Sequence, residues 1–117
     1  MKANGNILVA GLGLGMVVKA LLKKDNVLHI TVVEKSSDVI KLVAPFYQDN
    51  RVSIINNDIF DYKPACKFDF AWFDIWTYIS EDNYKEMVKL NRQFGRYVKV
   101  KEHWCYNQCR AMAKRGL

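Results

Sequence analysis

Six residues stand where chemistry could be done: Gly11, Gly13 and Gly15 in one short stretch, then the acids Glu34, Asp58 and Asp74. Glycine lets a chain turn sharply and lets a ligand approach with no Cβ in the way. A helix leaving such a turn aims its free N–H groups and the positive end of its dipole at whatever occupies it. The chemistry implied is the holding of a nucleotide or nucleoside-like ligand. Glu34 lies 19 positions after Gly15, where an acid at the tip of a second strand can accept both hydroxyls of a ribose. Asp58 precedes Ile59, pairing a carboxylate acceptor with a backbone donor as the edge of an adenine requires. Asp74 ends an apolar run whose strand neighbours the first in an open parallel sheet, so its carboxylate faces the same crevice.

Each residue also has a plainer reading. The glycines could form a ligand-free tight turn, Glu34 could be a surface acid closing a strand, and Asp58 alone reads best as a turn former or helix cap. The distance from the turn to Glu34 favours the nucleoside site over these. The dinucleotide fingerprint G-x-G-x-x-G would need glycine at Met16, and the third glycine falls one place early, at Gly15. NAD is therefore the less favoured ligand.

The elements that must position these groups follow from the apolar pattern. Residues 7–10, ILVA, form a short continuous apolar run that suits a strand covered on both faces. Met16, Val17, Ala20, Leu21 and Leu22 then recur at helical spacing. Residues 29–33, HITVV, read as a second strand, residues 51–56 as a third, residues 68–73 as a central fourth and residues 96–102 as an outer fifth. Between them, residues 36–38 cap a helix that Pro45 shortens, residues 81–94 form an amphipathic helix with Met87 and Leu90 inward, and residues 104–115 form a last helix. The expected architecture is a Rossmann-like three-layer α/β/α sandwich. Its mostly parallel five-stranded sheet has the order 3-2-1-4-5, in one domain spanning residues 1–117.

Half of the 117 residues are hydrophobic, which favours a packed globule over disorder. The net charge of +6 admits an anionic partner, yet the lysines and arginines are scattered along the chain. Nucleic acid is thus conceivable but not favoured. Lys19 and three glycines interrupt the first apolar stretch, so no secretory signal or membrane span is expected. Three cysteines without a framework spacing suit a reduced, cytoplasmic protein. Cys105 and Cys109, four apart beside His103, read as small core residues, and no metal is expected.

With these signals in order, the chain resembles the class I S-adenosylmethionine (SAM) methyltransferase superfamily, nearest its spermidine-synthase-like branch. The likeness is clearest in ILVAGLGLG and HITVVEKSSDVIKLV and runs to Asp74. It implies that Gly11, Leu12, Gly13 and Gly15 pass under the methionine moiety of SAM and that Glu34, with Lys35 beside it, holds the ribose. Asp58 and Ile59 would take the adenine. Asp74 would lie by the reacting centre as the catalytic residue, with Trp76 and Tyr78 shaping an acceptor pocket.

Some positions depart from the pattern. Val9 stands where methyltransferases carry an acid, and Leu14 where aminopropyltransferases carry an Asp. Asp74-Ile75-Trp76 replaces the motif of amine-methylating enzymes of nucleobases. FDFAWFDIW also resembles the fourth-strand region of metal-dependent catechol-type O-methyltransferases, whose further metal ligands have no counterpart beyond Glu102 and His103. The usual sixth and seventh strands have no matching sequence. A bare strand edge invites pairing, so a homo-oligomer is expected. The leading expectation is a SAM-dependent methyltransferase of unidentified acceptor. Aminopropyl-transfer or other SAM-consuming chemistry and a non-catalytic SAM-binding module are the alternatives.

Overall fold

A computed structural model describes residues 3–76 and 79–115 of the chain. The first strand, β1 (Gly5–Ala10), carries the ILVA run, and its last four residues are buried. A continuous apolar run has no polar face to offer water, so β1 sits at the centre of the sheet with β2 (Val27–Glu34) and β4 (Phe68–Phe73) as parallel neighbours. β3 (Val52–Asn56) pairs with β2 and β5 (Val98–His103) with β4, all parallel, in the order β3-β2-β1-β4-β5. The expected strand order is the observed one. Among the described residues the sheet has no further strand.

Side chains of alternate residues build two cores, one on each face. Leu8, Ala10, Ala71 and Phe73 face α3 (Glu81–Gln93) and α4 (Tyr106–Lys114), where they meet Met87, Leu90, Phe94 and Cys109. Ile7, Val9 and Phe70 face the other way, toward Val18 and Leu21 of α1 (Met16–Leu22) and Val43 of α2 (Ser37–Val43). α1 turns its inner face differently from the expected one. Met16 is 66% exposed while Val18 is buried, because the inward stripe follows Val18 and Leu21. α2 begins on a Ser36 side chain that accepts from the Val39 N–H. It gives way at Ala44–Tyr47 to a 3-10 turn holding Pro45, whose missing N–H and fixed φ end a regular helix. α3 starts in the same manner on Ser80, which accepts from the Asn83 N–H, with Glu81 and Asp82 in the first turn complementing the dipole.

At the N-terminal end of the strands, Asp69 joins β4 to its neighbours. Its Oδ2 accepts from the Asn6 N–H at 2.8 Å and its Oδ1 lies 3.6 Å from Lys99 Nζ. The Asn6 side chain donates to the Lys67 carbonyl at 2.9 Å.

Candidate functional site

At the opposite end, the strands' C-terminal ends form the rim of a cleft of about 910 Å³, within the range of small-molecule sites. Backbone hydrogen bonds set its floor. Gly11 N–H donates to the Val33 carbonyl at 2.9 Å and Asp74 N–H to the Ala10 carbonyl at 2.8 Å, carrying the ladders one residue past the strands. Gly11 has a φ of +96°, and a Cβ there would run into the Asp74 carbonyl oxygen. Only glycine lets the first and fourth strand ends approach in this way. Gly13, with φ +52°, lines the cleft and has no atom within 4 Å of where a Cβ would sit.

Glu34 ends β2 with its carboxylate spanning two backbone donors. Oε1 accepts from the Leu12 N–H at 2.8 Å and Oε2 from the Ser36 N–H at 2.9 Å. A carboxylate has about four acceptor sites, so each oxygen keeps capacity for one further donor. Asp58 follows β3 and accepts from the Phe60 N–H at 3.0 Å through Oδ1, closing the turn that its plainer reading describes. Its Oδ2 remains toward Lys35, whose Nζ lies 3.7 Å away. Ile59, beside it, is buried, and no backbone hydrogen bond of the described residues engages its N–H.

Asp74 lies just beyond β4 on the same rim. Burial pushes its carboxyl above the usual carboxylate range, because a charged form is costly away from water. The buried indole N–H of Trp72, directed at this carboxyl, works against that rise. Trp76 is 7% exposed and belongs largely to the core, presenting one edge to the cleft.

Gly11, Gly13, Glu34, Lys35, Asp58, Ile59, Asp74 and Trp76 are thus brought together along one cleft. Leu12 and Gly15 do not line it. Leu12 is buried beneath the turn and reaches the site only through its N–H to Glu34. Gly15 caps α1 with φ +80° and lies against the Tyr47 ring, whose hydroxyl donates to the Leu14 carbonyl at 3.3 Å. Tyr78 lies outside the described residues. Glu86 is the residue that sequence reasoning missed: from α3 it lines the cleft and accepts from the Trp76 indole N–H at 3.1 Å through Oε1. Charged groups of the lining are then Glu34, Asp58, Asp74 and Glu86 against Lys35, an acidic cleft in a chain of net charge +6. Among the described residues no group of His, Cys, Asp and Glu is placed to hold a metal ion.

Neither a protein-family model nor a curated protein matches the chain. Solved structures do. A DhpI complex with S-adenosylhomocysteine (SAH) superposes with a TM-score of 0.63 at 20% identity, over 82% of this chain and 47% of that one. The plantazolicin methyltransferase BpumL, complexed with SAH and a monoazolic desmethylPZN analog, gives 0.63 at 19% identity, over 84% of this chain and 36% of that one. A SAM-dependent methyltransferase from Mesorhizobium loti gives 0.64 at 16% identity, over 85% and 44%.

The fold is the Rossmann-like methyltransferase fold. The chain spans less than half the length of these methyltransferase-fold structures. No helix among the described residues is long and apolar enough to cross a membrane.

Proposed function

We propose that the protein binds SAM in the cleft and directs its methyl group to an acceptor. The observation that carries this reading is the convergence of Gly11, Gly13, Glu34, Asp58, Ile59 and Asp74 on one rim, since these are the groups an adenosine unit and an amino-acid tail demand. The acidic lining supports it, because SAM carries a sulfonium and an ammonium. Glu34 would take the ribose hydroxyls with the acceptor capacity that the Leu12 and Ser36 N–H groups leave. Asp58 and the Ile59 N–H would take the adenine edge. Gly11 and Gly13 would let the amino-acid tail lie against bare backbone.

SAM, when bound, supplies a methyl group already activated on positive sulfur. The protein's remaining task is alignment and the exclusion of water. Asp74, at the inner end of the rim, would orient the acceptor or take up its proton; the upward displacement of its pKa suits that task.

Calorimetry tests the reading. SAH is expected to bind, and Glu34→Ala to weaken it at least tenfold; an affinity unchanged in that variant would break the ribose assignment. Mass spectrometry of the spent cofactor then separates methyl transfer, which leaves SAH, from aminopropyl transfer, which leaves methylthioadenosine. We favour the first, and place the chain nearest the spermidine-synthase-like branch on the ILVAGLGLG stretch. A second reading, a SAM-binding module completed by a partner, is favoured by a solved complex between a putative methyltransferase and the Haloferax volcanii Trm112 activator, which matches 63% of this chain at 18% identity with a TM-score of 0.55. The outer edge of β5 is the surface on which a second copy of the chain would pair. Light scattering at working concentration checks that, with a monomeric mass counting against it.

A further inference from the structure

Cations that lie scattered along the chain are gathered by the topology at one corner of the sheet. Where β4 and β5 begin, the Phe68 N–H donates to the Tyr97 carbonyl at 2.6 Å and Phe68 stands opposite Val98, so Lys67 and the Arg96–Tyr97 turn lie side by side. That turn is tight. The Gly95 N–H donates to the Arg92 carbonyl, and the Tyr97 and Val98 N–H groups to the Phe94 carbonyl, which brings Arg92, in the last turn of α3, to the same corner. Two lysines of β5 reach back toward it. Lys99 Nζ lies 3.6 Å from Asp69 Oδ1, and Lys101 Nζ donates to the Val98 carbonyl at 3.3 Å. Lys67, Arg92, Arg96, Lys99 and Lys101 therefore surround the start of this strand pair, and among the described residues Asp69 is the only acid within ion-pair distance of any of them.

Asp69 offsets little of this charge, since its other oxygen is engaged by the Asn6 N–H and its pairing with Lys99 is exposed. Arg92 complements the C-terminal end of the α3 dipole, which is a structural role. The other four cations lie outside any helix and have no such role. Like charges held together repel one another until an anion neutralises them. The opposite end of the strands carries the acidic cleft, so the molecule has a negative and a positive pole, and an extended anion is steered to the second. Tyr97, set among the cations, leaves 37% of its surface to solvent, enough of a ring for a base to stack on. The most exposed apolar side chains, Leu14, Leu42 and Phe46, belong to other elements, which disfavours a lipid surface as the partner.

We propose that this corner binds single-stranded nucleic acid, its cations meeting successive phosphates while Tyr97 stacks on a base. The proposal is independent of the SAM reading, because the two sites lie at opposite ends of the strands. Arginine suits such a contact, since its planar fork meets two phosphate oxygens at once. Phosphate contacts carry no sequence information, so the binding is sequence-tolerant.

Fluorescence anisotropy of a labelled oligothymidylate of about 15 nucleotides, titrated with the full chain between about 50 and 200 mM salt, tests this. A Kd on the order of micromolar is expected at the low-salt end, with log K falling against log salt at a slope of about −2 to −3.5, as roughly three to five neutralised phosphates require. Lys67→Gln with Arg96→Gln should weaken binding about tenfold and flatten the slope by about 1.4. Lys19→Gln with Lys41→Gln removes the same charge from α1 and α2, away from the corner, and should weaken it by less than about twofold. Tyr97→Ala should weaken the oligonucleotide about fivefold and leave the weaker binding of polyglutamate of equal charge unchanged. Lys99→Gln alone, expected to cost about threefold, serves if the double variant does not fold. No binding at low salt, equal losses in the two double variants, polyglutamate or phosphatidylserine vesicles bound as tightly as the oligonucleotide, or displacement of the oligonucleotide by SAH would each overturn the assignment. A failure of SAH to bind would bear on the cleft alone and leave this corner standing.

Discussion

The Glu34 carboxylate and the Leu12 backbone N–H are joined by a 2.8 Å hydrogen bond that ties the tip of β2 to the glycine turn 22 residues earlier. One side chain therefore shapes the turn and lines the cleft. Glu34→Gln keeps an acceptor for Leu12 but puts an amide where Ser36 or a ribose needs a carboxylate oxygen. Charge-assisted hydrogen bonds contribute about 1.5–3 kcal/mol each, so SAH affinity should fall about tenfold by calorimetry. The melting temperature, read by differential scanning fluorimetry without ligand, should move by only a few degrees.

Gly11 and Gly13 look alike in sequence and differ in space. Gly11→Ala meets the Asp74 carbonyl and a φ of +96°, so it should cost about 2 kcal/mol or more of folding stability. Gly13→Ala has open space and a φ near the left-handed minimum, for a cost of about 1 kcal/mol. Urea denaturation of the two variants measures the difference; equal losses would contradict the close approach at Gly11.

His103 is held neutral by burial and by the nearby Lys101 charge, with its pKa lowered from 6.5 to about 4. The unfolded chain binds a proton that the folded chain refuses between those values. Stability is thus fully present above about pH 6.5 and declines as pH falls toward 4, by on the order of 2–3 kcal/mol. His103→Gln removes this titration, and the pH dependence of its urea midpoint over that window should be correspondingly flatter.

The strand order and the shared cleft of Gly11, Glu34, Asp58 and Asp74 were legible because both come from short-range patterns: apolar runs of strand length, and polar residues at their C-terminal ends. What was not legible depends on tertiary direction. Met16 fits a helical stripe as well as Val18 does, and only the position of α1 over Ile7 and Val9 decides which is buried. Glu86 reaches the cleft because α3 crosses back over the strand ends, a relation that no local spacing encodes. His103, read in sequence only as the neighbour of two small core cysteines, is buried with its Nε2 2.6 Å from the Oδ1 of Asn91, twelve residues earlier on another element.

Asp69 offers the reverse test of the site. It accepts from the Asn6 N–H at the end of the sheet away from the cleft. Asp69→Ala should cost about 1–2 kcal/mol of stability and leave SAH affinity unchanged by calorimetry. A weakened affinity would show that the two ends of the sheet are coupled.

The bonds from Gly11 to Val33 and from Asp74 to Ala10 form the floor of the cleft rather than its walls. Their amides are locked by the sheet whether or not anything is bound, so deuterium should enter them slowly in the empty protein. Loading the cleft then freezes little of its pedestal. The entropy that binding must spend falls on the overhanging segments, and any difference in tightness between related ligands would arise there.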